Sequence, residues 1–175
     1  MKHVGKLWAL SIVAVFLLAL GTVFAIYLIP GAEEDLVSQL PSRTISSLNR
    51  DTIETFELDG NYRLLVSETS TETTYAFLFK DDKLLKEYTL GPLSNDRNVT
   101  WQANDEPGQY SFLIGYFSDE SIKNANYVKL DGARLELDML QYQDFMIFYS
   151  LSEEIDTPIY LDGLDHNGEV VYRNF

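Results

Sequence analysis

An uncharged apolar run over residues 7–29 constrains this chain more than any other feature of its sequence. At about 1.5 Å of rise per residue, a helix over this run would be about 34 Å long, whereas a bilayer core is about 30 Å thick. Hydrocarbon offers the backbone no hydrogen-bond partners, so a single spanning segment must be helical. The sequence therefore predicts a transmembrane helix over 7–29.

The charges that flank this run indicate its orientation. Lys2 and Lys6 precede it, and three acidic residues follow it at 33–35. Because basic residues resist translocation, we expect 1–6 to be a cytoplasmic tail of a single-pass cell-membrane protein whose C-terminal domain is extracellular. A cleaved signal peptide, cut after Ala25, is the alternative. That cut would leave four apolar residues at the new N-terminus, which favours an uncleaved anchor.

The part of the chain that follows the apolar run is strongly acidic and contains no cysteine. Of the 13 Lys and Arg residues, Lys2 and Lys6 precede the run, so 11 remain against all 27 Asp and Glu residues, a formal charge of −16. Such a surface repels nucleic acid, which excludes a nucleic-acid partner. Without disulfides the domain depends on a hydrophobic core, which its many Tyr and Phe residues can supply.

From Thr52 onward, apolar and polar side chains alternate with a period of two, and turn residues separate the runs. This pattern is typical of short antiparallel strands. We expect an all-β domain over 51–175, an antiparallel β-sandwich of immunoglobulin-like or jelly-roll-like type, with a small β-barrel as the alternative. The polar segment 30–50 is predicted to be a stalk, and the Ser, Thr and Glu residues of 67–74 are predicted to form a loop.

Residues 106–112, EPGQYSF, resemble the turn that leads into a strand of immunoglobulin-like domains. In that family a tyrosine shortly after the turn bonds back to the backbone, and the resemblance implies this role for Tyr110. Phe112 stands where the family has a disulfide cysteine. In the predicted strand that precedes this turn, Trp101 shares a face with Val99 and Ala103, which places it in the predicted core.

The turn near the C-terminus has two interpretations. Asp165, Asn167 and Glu169 alternate as oxygen ligands do in calcium loops, with Gly168 at the turn. The acid that an EF-hand needs further downstream is missing, however. Asn-Gly is also the favoured pair of a two-residue type I′ hairpin, and the sequence favours the hairpin over the calcium site.

Catalytic motifs are scarce in the predicted outer domain. It contains one histidine, His166, and no Gly-x-Ser-x-Gly sequence, so a serine triad and a zinc site are both disfavoured, and no cofactor is expected. Paired carboxylates are the remaining catalytic possibility, because they can hydrolyse glycosides. The carboxylates that fit by chemistry alone are Asp119, Glu120, Glu153, Glu154 and Asp156.

The sequence therefore favours a membrane-anchored extracytoplasmic binding domain over an enzyme. Its partner would be an envelope protein, a peptide or a glycan, bound through exposed aromatic side chains. Tyr142 and Tyr149, which flank the most apolar predicted strand, are the candidate binding residues. A small cell-envelope enzyme that acts on glycosides through carboxylates is one alternative. An accessory subunit whose helix pairs with a larger membrane complex is another.

Overall fold

The computed structural model describes residues 36–93, 99–106, 110–152, 155 and 157–174. The predicted tail at 1–6, the predicted span at 7–29 and the first part of the predicted stalk lie outside these residues. In the portion of the chain that is described, no helix is long and apolar enough to cross a bilayer.

The described residues form three four-stranded antiparallel sheets, which confirms the prediction of an antiparallel all-β fold. Sheet I has the order β1-β2-β3-β4, sheet II the order β5-β6-β10-β9, and sheet III the order β12-β11-β7-β8. In chain order the strands are β1 (Glu54–Glu57), β2 (Tyr62–Glu68), β3 (Thr74–Lys80), β4 (Lys83–Gly91), β5 (Val99–Glu106), β6 (Tyr110–Phe117), β7 (Asn124–Val128), β8 (Arg134–Glu136), β9 (Asp138–Tyr142), β10 (Phe145–Ser152), β11 (Tyr160–Leu164) and β12 (Val170–Arg173).

The three sheets are stacked face to face, with sheet II in the middle. On β6, Phe112 and Ile114 pack against sheet I, and the alternating Leu113 and Phe117 pack against sheet III. All eight residues of β6 are buried, as its apolar run predicts. The sequence pattern predicted a sandwich of two sheets, but the structure contains three layers of strands.

A close approach in the middle of sheet II depends on Gly115. A Cβ atom at this position would lie 2.3 Å from the backbone oxygen of Thr100 on β5 and 2.5 Å from the Phe148 ring on β10. Real Cβ atoms do not come so close to backbone. The missing side chain therefore lets the two neighbouring strands and the Phe148 ring pack tightly at this point of the central sheet.

A short helical segment forms a fourth layer on the outer face of sheet I. Residues 36–38 are helical, and α1 (Ser42–Ile45) follows them. Leu36 and Leu40 are buried against Phe77 and Phe79 of β3. Sequence analysis assigned all of 30–50 to a stalk, but the structure packs 36–50 into the domain. The sequence pattern missed this because two or three apolar side chains per short helix give no long periodicity.

The polar stretch 67–74, predicted to be a loop, is a loop only over 69–73, where it connects β2 to β3. β2 runs through Glu68, β3 begins at Thr74, and Ser67 and Thr74 are both fully buried. The Ser67 hydroxyl donates to the carbonyl of Asn49, 3.3 Å away, in the chain that follows α1. The fold, and not the neighbouring sequence, supplies this partner for the Ser67 hydroxyl, whereas the buried Thr74 hydroxyl has no partner among the described residues.

The alternating segment 134–139 is divided between two sheets. β8 ends at Glu136 in sheet III, and β9 begins at Asp138 in sheet II. Between them Leu137 is buried, and its N–H still donates to the carbonyl of Ala125 on β7, 2.9 Å away. A strand that crosses from one sheet to the next closes this side of the stack.

Candidate binding face

The outer face of sheet III, which no other described layer covers, carries the candidate site. On β11, Leu161 packs into the core between sheets II and III, and Gly163 lies against the side chain of Ile122. Because side chains alternate along a strand, Asp162 points to the opposite, outer side. A carboxylate is thus placed in the centre of this face.

Two arginines from the edge strands of sheet III converge on Asp162. Arg173 of β12 lies directly opposite it, and its Nε and Nη2 donate to the two carboxylate oxygens at 2.6 and 2.9 Å. Arg134 of β8 reaches across β7 and donates from Nε to Oδ2 at 3.1 Å. We call these three residues the arginine cluster. It joins both edge strands of the sheet through one carboxylate.

The arginine cluster buries its acid and leaves its bases partly exposed. The Asp162 side chain is fully buried, whereas 53% of the Arg134 side chain and 35% of the Arg173 side chain remain exposed. A buried carboxylate is tolerable only when charge-assisted hydrogen bonds replace its water. Hydrogen bonding to Asp162 also raises the pKa of Arg173 above its ordinary value. The two arginines and one carboxylate leave the cluster with a formal charge of +1, which the exposed Glu136 on the same face offsets.

Exposed aliphatic side chains lie on the same sheet as the arginine cluster, although Leu135, which pairs with the core-facing Tyr127, projects to the opposite side from Arg134. Six large apolar residues are exposed in the described structure, and four of them lie on sheet III or its turns. We call these four the apolar rim: Leu130, Leu135, Val170 and Val171, which are 63%, 45%, 41% and 49% exposed. Arginine set among apolar side chains is a composition that protein-binding surfaces favour.

The two tyrosines that the sequence singled out for binding lie elsewhere. Tyr142 is fully buried between sheets I and II, and its hydroxyl donates to the carbonyl of Thr52 at 2.8 Å. Tyr149 is half-buried on the same side of sheet II, with its ring 6.2 Å from that of Phe112. Tyr142 is therefore not available to a ligand in this structure, and neither tyrosine contributes to the outer face of sheet III.

The predicted calcium residues form the β11–β12 hairpin. Oδ1 of Asp165 accepts the backbone N–H groups of Asn167 and Glu169 at 2.8 and 2.9 Å, and these bonds lower the pKa of Asp165. Gly168 has a φ of 79°, but Asn167 does not have a positive φ, so the turn is not the two-residue type I′ turn. Within the described residues, no three His, Cys, Asp or Glu side chains are grouped to hold a metal ion.

The carboxylates considered for catalysis are only partly described. Asp119 and Glu120 line a cleft of about 120 Å³ together with Asp144, while residues 153, 154 and 156 lie outside the described residues. Hydrogen bonds from Ser121 lower the pKa of Asp119. A lowered pKa suits a carboxylate that stays ionised, but a glycosidase also needs an acid whose pKa is raised.

Sequence reasoning missed the arginine cluster, although part of its signal was present. Asp162 interrupts an apolar strand, and such a position indicates a buried or paired acid. Which arginines pair with it depends on the register of three strands, and the sequence does not contain that information. Trp101, predicted in the core, is 37% exposed on the edge strand β5, because sheet III does not extend over it.

Comparisons with protein-family models, with curated proteins and with solved structures find no match to this chain. The site must therefore be interpreted from its own geometry.

Proposed function

We propose that this chain is a membrane-anchored extracytoplasmic binding domain, and that its partner is another protein of the cell envelope. The apolar run at 7–29 would hold the N-terminus in the membrane with 1–6 in the cytoplasm and the sheets outside the cell. The sheets would form a sandwich-type body, with an immunoglobulin-like or jelly-roll-like connection as the finer expectation.

The observation that carries this proposal is that sheet III combines the arginine cluster on its uncovered outer face with exposed aliphatic side chains on its edge strands and in its β7–β8 turn. Isolated exposed apolar residues are common on soluble domains, but a set concentrated on one layer indicates a contact surface. The partly exposed Arg134 has guanidinium nitrogens beyond the one bonded to Asp162. These donors suit a carboxylate side chain of the partner, and the rim suits apolar side chains around it.

The test is affinity purification of the intact protein from its own membrane, with three tagged variants. Leu130→Ser alters the apolar rim, and Arg134→Glu reverses the exposed charge of the arginine cluster. Leu85→Ser is the matched control, because Leu85 is also an exposed leucine, 36% accessible, but lies on β4 of sheet I. We expect the copurified protein to be lost from the first two variants and retained by the control.

Two results would contradict the proposal. Equal recovery of a partner by all three variants would show that it binds elsewhere, for example through the predicted span of an accessory subunit. In that case, replacing 7–29 with an unrelated apolar helix would abolish recovery. If no partner is recovered and the purified protein hydrolyses a glycan, the carboxylate enzyme becomes the better explanation.

A further inference from the structure

We propose that the exposed surface of residues 36–50 rests on an anionic bilayer surface, so that the stack of sheets stands on its helical layer. We call this surface the basal face. The inference depends on the proposed membrane anchor and adds to it an orientation, a lipid partner and the residues that select it.

The first support is the short connection between the predicted span and the folded body. Leu36 is fully buried in the helical layer against sheet I, and only residues 30–35 separate it from the predicted end of the span at Ile29. A chain extends at most about 3.6 Å per residue, so in any conformation Leu36 lies within about 25 Å of Ile29. The helical layer is therefore the part of the described structure that the anchor holds nearest to the membrane.

The second support is the charge of the basal face. Residues 36–50 contain Arg43 and Arg50 but no Asp or Glu, although the chain as a whole carries 27 acidic residues. Both arginines are exposed, and so are Gln39 and Ser42, which precede Arg43 in the chain. A basic side chain is attracted to an anionic lipid surface, and this attraction fades within about 10 Å.

Acidic neighbours limit the size of this attraction. Residues 33–35 are acidic, and Asp51 follows Arg50 directly. We therefore expect the two arginines to select which face meets the bilayer and to add little to membrane affinity, which the span would provide. All of the acidic residues of the described chain lie outside 36–50, so an acid-rich part of the surface turned toward anionic headgroups would be repelled.

The orientation has a consequence for the proposed binding face. Packed sheets lie about 10 Å apart, so sheet III is roughly 20 Å beyond sheet I on the side away from the helical layer. A protein that stands on its basal face therefore presents the outer face of sheet III, with the arginine cluster, away from the membrane, where a partner can reach it.

The chain contains no cysteine, so a single introduced cysteine can carry a fluorescent label. The full-length protein is labelled at Ser42→Cys on the basal face or at Glu136→Cys on the outer side of sheet III, and both positions are exposed. Each is reconstituted in phosphatidylcholine vesicles containing phosphatidylglycerol and a headgroup-spin-labelled lipid. We expect several-fold stronger quenching at position 42 than at position 136. Equal quenching, or stronger quenching at 136, would overturn the inference.

A second comparison tests the role of the arginines. Arg43→Glu combined with Arg50→Glu should weaken quenching of the label at position 42, and the effect should shrink at high salt. Lys83→Glu combined with Lys86→Glu, the same change of charge on β4 of sheet I, is the control and should have less effect. Unchanged quenching in the arginine variant would overturn the proposed lipid contact.

An alkaline carbonate wash separates this inference from the proposed anchor. A protein that resists extraction but shows no difference between positions 42 and 136 keeps the anchor and loses the orientation. Extraction by carbonate would overturn the anchor, and the orientation with it.

Discussion

Three buried tyrosines of the central core should respond with opposite signs to loss of the hydroxyl group. Tyr88, Tyr116 and Tyr142 are each at most 2% exposed. The hydroxyls of Tyr116 and Tyr142 donate to the carbonyls of Pro92 and Thr52 at 2.7 and 2.8 Å. The Tyr88 hydroxyl is buried and, among the described residues, has no hydrogen-bond partner.

The magnitudes follow from these environments. A buried hydroxyl without a partner is unfavourable by about 1–3 kcal/mol, so Tyr88→Phe should raise the free energy of unfolding by about 1 kcal/mol. Tyr142→Phe removes a hydrogen bond and leaves the carbonyl of Thr52 unpaired, so it should lower that free energy by about 1–2 kcal/mol. The two substitutions remove the same atom, and the expected difference between them is about 2–3 kcal/mol.

The assay is urea unfolding of the full-length protein in detergent micelles. The chain has two tryptophans, so a Trp8→Phe background leaves Trp101 of β5 as the single reporter of the sheet stack. Tyr116→Phe serves as a second hydrogen-bonded control and should behave like Tyr142→Phe. If Tyr88→Phe destabilises the protein as much as Tyr142→Phe does, the assignment of an unpaired hydroxyl is refuted.

The same residue predicts a dependence on alkaline pH. Burial, followed by the nearby Tyr110 and Glu106 charges, raises the pKa of Tyr88 well above its ordinary value. The stability that arises from this difference in pKa between the folded and unfolded states is therefore complete below the unfolded-state pKa of about 10. It is lost as the pH rises from there toward the folded-state pKa. Tyr88→Phe should reduce the fall in stability above pH 10 by up to about 1.4 kcal/mol per pH unit, which urea midpoints at several pH values would show.

Two further predictions concern the arginine cluster and the helical layer. Asp162→Asn should lower the free energy of unfolding by about 2–3 kcal/mol. Arg173→Gln should lower it by less, and Arg134→Gln should lower it least, because Arg134 loses only one hydrogen bond of 3.1 Å. The opposite order in urea unfolding would contradict the geometry. Leu36→Ala should destabilise the whole sheet stack by about 2–4 kcal/mol, because Leu36 is fully buried. Gln39→Ala, at an exposed position, should have little effect. If both variants unfold at the same urea concentration as the unmodified protein, 36–50 lies outside the folded unit.

Several parts of the fold were readable because their signals are local. The alternation of apolar and polar side chains from Thr52 onward predicted antiparallel strands, and β6 and β10 were recognisable from their apolar residues alone. Alternation records only that a strand has a buried face. It does not record which sheet covers that face, and so three sheets could not be distinguished from two.

The candidate site was harder to predict, because it depends on contacts between distant segments. Arg134 and Asp162 are 28 residues apart and meet only because β8, β7 and β11 are neighbours in sheet III. Tyr142 and Trp101 also show that the burial of a side chain depends on distant segments. Both are aromatic residues in strands, yet one is fully buried and the other is exposed, because only the first is covered by a neighbouring sheet.

The sequence by itself determined the strands, the acidic character of the domain and the apolar run at 7–29, because each is a property of neighbouring residues. Only the tertiary structure decided that 36–50 covers sheet I, that Ser67 and Asp162 are buried, and that sheet III leaves one face open. Burial is set by what the fold brings over a side chain. A polar residue can therefore be buried wherever distant partners replace its water, and its own sequence neighbourhood does not reveal this.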